Sequence, residues 1–198
     1  MAKIKFSKNE LKKQKDQLKR FERYLPTLVM KKQLLQMEIR QVETQIEEKR
    51  QEREKKYSEL MSWVHVFGEE MNFAELVKIK EVDLGSTNIA GVDIPVFRGI
   101  MFEKAPYDLM VYPLWVDAGI KKLQEIFSLD TELSVLEKQA DLLGSELRVT
   151  TQRVNLFEKV KIPETKENIR VINIFLGDQQ TAAVVRGKLS KGKLVREA

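Results

Sequence analysis

Residues 129–157, LDTELSVLEKQADLLGSELRVTTQRVNLF, carry an apolar side chain alternately every fourth and every third position. The members of this stripe are Leu129, Leu133, Leu136, Ala140, Leu143, Leu147, Val154 and Phe157, with the polar Thr150 in the remaining place. Alternating steps of four and three mark the a and d positions of a coiled coil. Because so narrow a stripe needs another helix to cover it, the stretch predicts a long helix with a helical partner.

A matching stripe near the N-terminus supplies that partner. Ser7 or Asn9 can cap the helix, and Glu10 gives Ser7 the spacing of a capping box. The apolar positions that follow are Leu11, Leu18, Phe21, Leu25, Leu28, Leu35, Ile39, Val42, Ile46 and Leu60, and the polar interruptions are Gln14, Lys32, Lys49, Arg53 and Lys56. We predict a helix to about residue 67, where Gly68 offers a stop, with a local kink at Pro26.

The region between the two helices has a different composition. Residues 68–118 contain four of the nine glycines and three of the five prolines. Strand-like apolar spacing appears at Val77, Ile79, Val82 and Leu84, and again at Val92, Ile94 and Val96. This predicts a small β-hairpin over residues 77–97, with its turn at residues 85–88, GSTN. Pro95 confines the second strand to an edge or marks an irregularity.

The second helix is predicted to begin near Ala118 and to continue past Pro163, fraying near its basic end. Its later apolar positions are Ile169, Ile172, Leu176 and Ala183. The predicted fold class is mostly α: a long antiparallel two-helix coiled coil of the N- and C-terminal helices with a small central β-hairpin region. The segments are residues 1–67, an N-terminal coiled-coil helix, residues 68–118, the hairpin and connector, and residues 119–198, a C-terminal coiled-coil helix with a basic tail.

Charge is distributed unevenly along this chain of net charge +5. Residues 1–23 hold nine lysines and arginines against three acids, residues 186–198 hold five against one, and the body between them is acidic. Antiparallel helices would bring both termini to one end and form a single basic tip. The absence of cysteine excludes disulfides and thiolate metal sites. The short apolar runs and an N-terminus unlike a signal peptide predict a cytoplasmic protein without membrane insertion.

Two features are weak candidates for chemistry. Residues 187–193, GKLSKGK, resemble a phosphate-binding loop, but Leu194 stands where magnesium needs serine or threonine, so a basic, mobile tail is the better interpretation. His65, the only histidine, lies in an apolar run that favours a packed residue over a catalytic base. We therefore expect no catalytic, cofactor or metal site. The basic ends contain few aromatics, which favours an acidic protein surface over nucleic acid as their partner.

Several segments carry a family resemblance. Residues 153–158, RVNLFE, followed by Val160, Ile162, Pro163 and Ile169, resemble the R-V-N-x-L-E…V-x-I-P…I signature of the D subunits of V-type and archaeal-type rotary ATPases. The signature residues are Arg153, Val154, Asn155, Leu156, Glu158, Ile162 and Pro163, with Phe157 where that family usually has leucine. Residues 88–95, NIAGVDIP, look like the hairpin strand of that family and include Asn88, Gly91 and Pro95. Leu34 and Leu35, after Lys31 and Lys32, resemble its N-terminal helix.

The resemblance implies a non-catalytic central-stalk protein, a rotor shaft, in a complex at the cytoplasmic face of a membrane. It implies four partners: the A and B subunits of the head, which carry the catalytic residues, the small F subunit of the stalk, and the subunit that links the stalk to the membrane rotor ring. The shaft would transmit torque between ATP hydrolysis or synthesis and translocation of protons or sodium ions. The residues expected to face the head form the basic tip: Lys12, Lys13, Arg186, Lys188, Lys191, Lys193 and Arg196.

Other interpretations remain open from the residues themselves. The basic ends also fit a coiled-coil adaptor or a nucleic-acid-associated structural protein, and an enzyme is the third class. The hairpin either regulates the complex or only caps the coiled coil and docks the F subunit. Pro26 and Pro163 fall in the same half of the antiparallel arrangement, which predicts a curved shaft.

Overall fold

The structure, a computed structural model, describes residues 5–64, 77–104 and 115–197. Its elements are α1 (Lys8–Val64), β1 (Val77–Ile89), β2 (Val92–Lys104), α2 (Val116–Asn155), a π-helical stretch called here the π segment (Leu156–Lys161), and α3 (Ile162–Glu197). Two long helical stretches with one small hairpin between them confirm the predicted fold class. The predicted helix end near residue 67, Gly68 and His65 lie outside the described residues, and the three-segment division stays a prediction.

The chain separates into two compact units, which we name by their contents. The hairpin unit is Gln33–Arg148, and the terminal unit combines Met1–Lys32 with Val149–Ala198. Helix α1 contributes to both units. Each unit therefore pairs a part of α1 with a part of the C-terminal helical stretch, and each has its own apolar seam.

Ser7 sets the start of α1. The backbone N–H of Glu10 donates to Oγ of Ser7 at 3.2 Å, which satisfies one of the free donors of the first turn. The Glu10 carboxylate accepts from Nε2 of Gln14 at 2.9 Å, so it supports the next turn of the helix. The helix continues through Pro26, and the predicted kink there stays a prediction.

The apolar seam of the hairpin unit is buried as the spacing predicts. Leu35 and Leu143 are completely buried, and they form one cluster with Leu133, Leu136, Val42 and Ile46 of the helices and Ile94 of the hairpin. Two ion pairs show the relative orientation of the helices, because Lys49 contacts Glu132 and Lys56 contacts Glu125. The residue numbers increase along α1 while those of their partners decrease along α2. The partner of the 129–157 stripe is therefore α1 of the same chain, in antiparallel orientation.

The terminal unit has the same antiparallel pairing. The rings of Phe21 and Phe157 stack with centroids 5.3 Å apart, and those of Phe6 and Phe175 lie 4.9 Å apart. Its most buried residues are Thr150, Val154, Thr165 and Ile172. The polar Thr150 thus occupies the seam position that the sequence pattern assigned to it.

The predicted position of the hairpin turn is wrong. Residues 85–88 lie inside β1, and the chain reverses at Ala90 and Gly91, whose φ angles are +53° and +80°. Two successive positive φ angles are those of a type I′ turn, whose twist matches that of paired strands. The hairpin also extends to Lys104, beyond the predicted end at residue 97. The strands pair in antiparallel register from Ile89 with Val92 to Val77 with Lys104.

The C-terminal basic segment is also more regular than predicted. Helix α3 continues through Gly187 and Gly192 to Glu197, instead of becoming a loose tail. A phosphate-binding loop needs consecutive backbone N–H groups turned toward the anion, which a continuous helix uses for its own hydrogen bonds. Residues 187–193 therefore do not form such a loop.

Candidate functional site

The basic residues of the predicted tip belong to one unit. Lys12 and Lys13 lie on α1 and the remaining five on α3, all within the terminal unit. Every member except Arg196, whose side chain is outside the described set, is exposed to solvent. In the same part of α3, Val184 is 58% exposed and Leu189 is 63% exposed. This mixture of cations and exposed apolar side chains is typical of a surface that a protein partner covers.

The signature residues divide between the seam and the surface. Val154 is buried and Phe157 stacks on Phe21, so both face α1. Leu156 and Val160 are 44% and 49% exposed. Three charged or polar members, Arg153, Asn155 and Glu158, are exposed as well. The signature thus combines seam contacts with an outward-facing surface on one short stretch of helix.

The π segment that lies within this signature was not predicted from the sequence. Its geometry is defined by the backbone N–H of Ile162, which donates to the carbonyl of Phe157 five residues earlier. A proline ring inside an α-helix clashes with the carbonyl four residues before it, and for Pro163 that carbonyl belongs to Lys159, inside the wider π segment. Phe157 and Ile169 are 12 positions apart, one more than the roughly 11 that continuous heptad spacing gives. This extra residue is the feature from which the π segment could have been predicted.

The three hairpin residues singled out from sequence each have a defined place. Asn88 accepts from the backbone N–H of Gly91 at 3.0 Å and donates to Oδ1 of Asp93 at 2.6 Å, which fixes the turn. Pro95 pairs with Ser86 in the register. Residue pairs in an antiparallel hairpin alternate between hydrogen-bonded and non-hydrogen-bonded, and counting from the turn puts Pro95 in a non-hydrogen-bonded pair. Its nitrogen, which carries no hydrogen, faces away from β1, so the sheet loses no hydrogen bond. Its carbonyl accepts instead from Nε2 of Gln139 on α2, at 2.6 Å.

A cross-helix group of ion pairs in the hairpin unit was also missed. The sequence showed the cations of α1 only as interruptions of the seam. In the structure they contact acids of α2: Lys49 with Glu132 at 3.1 Å, Arg50 with Glu137 at 2.7 Å, Arg53 with Asp130, and Lys56 with Glu125 at 3.2 Å. A reversed pair, Glu59 with Lys122 at 2.8 Å, completes the group. We call these five pairs the ion-pair ladder.

The ladder shifts the titration of its members in the stabilising direction. The hydrogen bond from Lys122 lowers the pKa of Glu59, and the same bond raises the pKa of Lys122. The hydrogen bond to Glu132 raises the pKa of Lys49. Each of these three pKa shifts favours the charged form of the group that it concerns. The acids at positions 125, 130, 132 and 137 are the sequence feature that could have indicated the ladder. Assigning each acid to its cation requires the register of α1 against α2.

Neither a metal centre nor a membrane span emerges from the parts of the chain that the structure covers. Within residues 5–64, 77–104 and 115–197, no three acidic or histidine side chains are grouped to hold a metal ion. In those same ranges, no helix combines the length and the apolar character needed to cross a bilayer.

Comparison with known proteins gives matches over nearly the whole chain. The sequence profile of the family described as the ATP synthase D subunit matches residues 10–192. The chain is 52% identical to the V-type ATP synthase D subunit of Borreliella burgdorferi over 197 residues, 100% of this chain and 98% of that protein. It is 33% identical to the proteins of the same name from Chlamydia caviae and Chlamydia felis, each alignment covering 98% of this chain and 94% of the relative. The matched region includes both helical stretches and the hairpin.

Proposed function

Because the chain belongs to the family of ATP synthase D subunits, we propose that it is the non-catalytic central-stalk component of a V/A-type rotary ATPase. In this role it acts as the rotor shaft, transmitting torque between ATP hydrolysis or synthesis in the catalytic head and ion translocation by the membrane rotor. The observation that carries the proposal is the antiparallel pairing of long helices in one chain. Two helices joined along a buried seam resist twisting better than one helix does.

The proposed partners follow the two kinds of surface in the molecule. The terminal unit, with its exposed cations and apolar side chains, contacts the A and B subunits of the head. The hairpin unit is the place where the F subunit and the subunit linking the stalk to the rotor ring are expected. The protein is then cytoplasmic and peripheral to the membrane as part of the complex. We expect no nucleic acid among its partners, because the basic ends contain few aromatic residues, and no cofactor, because catalysis belongs to other chains.

Co-purification is the direct test of this assignment. The full chain, tagged and produced in its own cells, should retain the A and B subunits of the head and the small F subunit of the stalk, identified from a gel. Recovery of nucleic acid or of unrelated proteins in place of ATPase subunits would favour the adaptor alternative. Nucleotide hydrolysis by the isolated chain would contradict the non-catalytic role.

A charge-reversal experiment tests the basic tip within that complex. Changing Lys191, Lys193 and Arg196 to glutamate should weaken retention of the head subunits at least tenfold, and the loss should depend on salt, because the contact joins cations to acidic loops. The matched control changes three exposed lysines of the hairpin unit, Lys55, Lys121 and Lys138, to glutamate. Unchanged retention of the tip variant at low salt would refute this contact.

A further inference from the structure

The hairpin packs on the helices at two separate places, on α2 alone at its open end and on both helices at its turn end. At its open end, Val77 packs with Val116 and Ile120 at the start of α2, with Phe102 against the same cluster. At its turn end, Ile94 is only 2% exposed. This residue lies in the main apolar cluster formed by both helices, and its neighbours Ile89, Ala90 and Val92 pack against that cluster. The bond from Gln139 to the carbonyl of Pro95 reinforces this second attachment.

The distances along the two elements agree with a hairpin that runs beside α2. Ile94 and Phe102 are eight residues apart, which is about 26 Å along an extended strand. Ile120 and Gln139 are 19 residues apart, which is about 28 Å along a helix. The two attachments therefore span the stretch of α2 between Ile120 and Gln139 without distortion.

That stretch contains the α2 side of the ion-pair ladder. All five of its residues, from Lys122 to Glu137, lie between the two attachment points. Opposite them, the seam of α1 carries Lys49, Arg53 and Lys56 where the flanking heptads carry apolar residues. The paired side chains remain 28–59% exposed to solvent. Exposed ion pairs contribute little to helix pairing and are weakened by salt.

We propose that the hairpin is a brace that spans the ion-pair ladder on the side of α2 and keeps α2 aligned against α1 across this weakly sealed section. The turn end packs on both helices on one side of the ladder, the open end packs on α2 on the other side, and the hairpin connects these two contacts alongside the ladder section of α2. Bending or twisting of α2 away from α1 within the ladder section then has to stretch or detach the hairpin. The inference concerns the isolated chain and is independent of the shaft role proposed above, so each stands or fails separately.

Amide hydrogen exchange of the full chain tests the brace. The release variant combines Ile94→Ser with Gln139→Ala, which removes the most buried side chain of the turn end and its hydrogen bond to α2. Backbone amides of residues 47–60 and 122–132 should exchange at least tenfold faster in this variant, and raising the salt concentration should increase the difference. In the unaltered chain, the same amides should respond only weakly to salt. The matched control is Ile79→Ser, because Ile79 is 48% exposed on the hairpin and its loss leaves the turn end attached.

A second variant separates bracing from general destabilisation. Changing Lys49, Arg53 and Lys56 to leucine gives α1 an apolar seam through the ladder section, which should no longer need the hairpin. In that background, the release changes should accelerate exchange of residues 47–60 less than threefold. Equal acceleration in both backgrounds overturns the proposal, and so does unchanged exchange in a release variant whose hairpin amides show detachment. If the double change unfolds the chain, Gln139→Ala alone gives the same comparison.

Discussion

Leu34 and Leu35 are identical neighbours on α1 with opposite environments. Leu35 is completely buried in the seam, whereas Leu34 is 39% exposed. Leu35→Ala should lower the free energy of unfolding by about 2–5 kcal/mol, because it leaves a cavity between two helices that cannot fully collapse. Urea unfolding followed by circular dichroism measures the change.

The neighbouring substitution is the control for that prediction. Leu34→Ala changes the same atoms in the same helical turn, and it should cost less than about 1 kcal/mol, because half-exposed apolar side chains lose little on truncation. Equal losses for the two variants would contradict the assignment of Leu35 to the seam.

Residue type alone predicted the hairpin turn incorrectly. The segment Gly85-Ser86-Thr87-Asn88 has stronger turn composition than Ala90-Gly91, and Ala90 is unusual among non-glycine residues in adopting a positive φ. A turn at residues 85–88 would place Ile94 four residues farther from the turn, roughly 13 Å along the strand from where the observed turn at Ala90 and Gly91 puts it. Local propensity therefore located the hairpin but not its turn, and the observed turn agrees with the packing of Ile94 in the helical core.

Among the elements, the helices were predictable for a simple physical reason. Heptad spacing is a local property of the sequence, and a seam that cannot remain in water identifies its partner by having the same spacing. The ion-pair ladder was not predictable to the same degree. Pairing Lys49 with Glu132 requires the relative register of two helices, and a shift of a few residues offers each cation another acid. The protein-contact surfaces depend on partners that no internal pattern of this chain specifies.

The π segment accounts for a change of phase in the C-terminal stretch. Beyond it, the buried positions are Thr165 and Ile172, each one residue later than unbroken heptads would place them. Because a π turn accommodates one more residue than an α turn, it rotates the following helix back toward α1. The segment therefore joins two seams that differ in phase by one residue.

A single deletion within this segment should be tolerated. Removing Lys159 together with Pro163→Ala brings Thr165 and Ile172 into continuous heptad spacing with Val154 and Phe157, so an ordinary α-helix without the proline clash can replace the π turn. We expect the free energy of unfolding to change by less than about 1 kcal/mol. Thermal unfolding of the full chain, with helix content measured in parallel, tests this expectation.

A deletion of the same residue type elsewhere provides the comparison. Removing the exposed Lys138 shifts Leu143, Leu147 and Thr150 off the seam, and it should cost about 3 kcal/mol or more. Similar losses from the two deletions would show that the π segment does not absorb an inserted residue.

For the whole molecule, the ladder predicts a dependence of stability on pH. The pKa of Glu59 is lowered by its bond from Lys122, so the unfolded state takes up a proton more readily than the folded state. The stabilisation is complete above the ordinary glutamate value of 4.5 and disappears as the pH falls through the lowered pKa. The raised pKa values of Lys49 and Lys122 give the converse result, a contribution that is lost only above 10.5.

Urea unfolding between pH 3 and pH 7 measures the acid side of this profile. The Glu59→Gln variant should show a shallower loss of stability on acidification than the unaltered chain. Glu54→Gln is the control, because Glu54 is exposed on the same helix but is not a member of the ladder. If the two variants have the same profile, the ladder does not cause the acid dependence.

The long chain distance between the two halves of the seam has a consequence during synthesis. Val64 ends α1 79 residues before Leu143, so a ribosome adding roughly 5–20 residues per second leaves the α1 seam uncovered for roughly 4–16 seconds. Neighbouring nascent chains on one messenger then expose identical stripes to each other. Parallel pairing of two copies of α1 would place Lys49, Arg53 and Lys56 against their own counterparts, and this repulsion opposes the wrong partnership until the acids of α2 emerge.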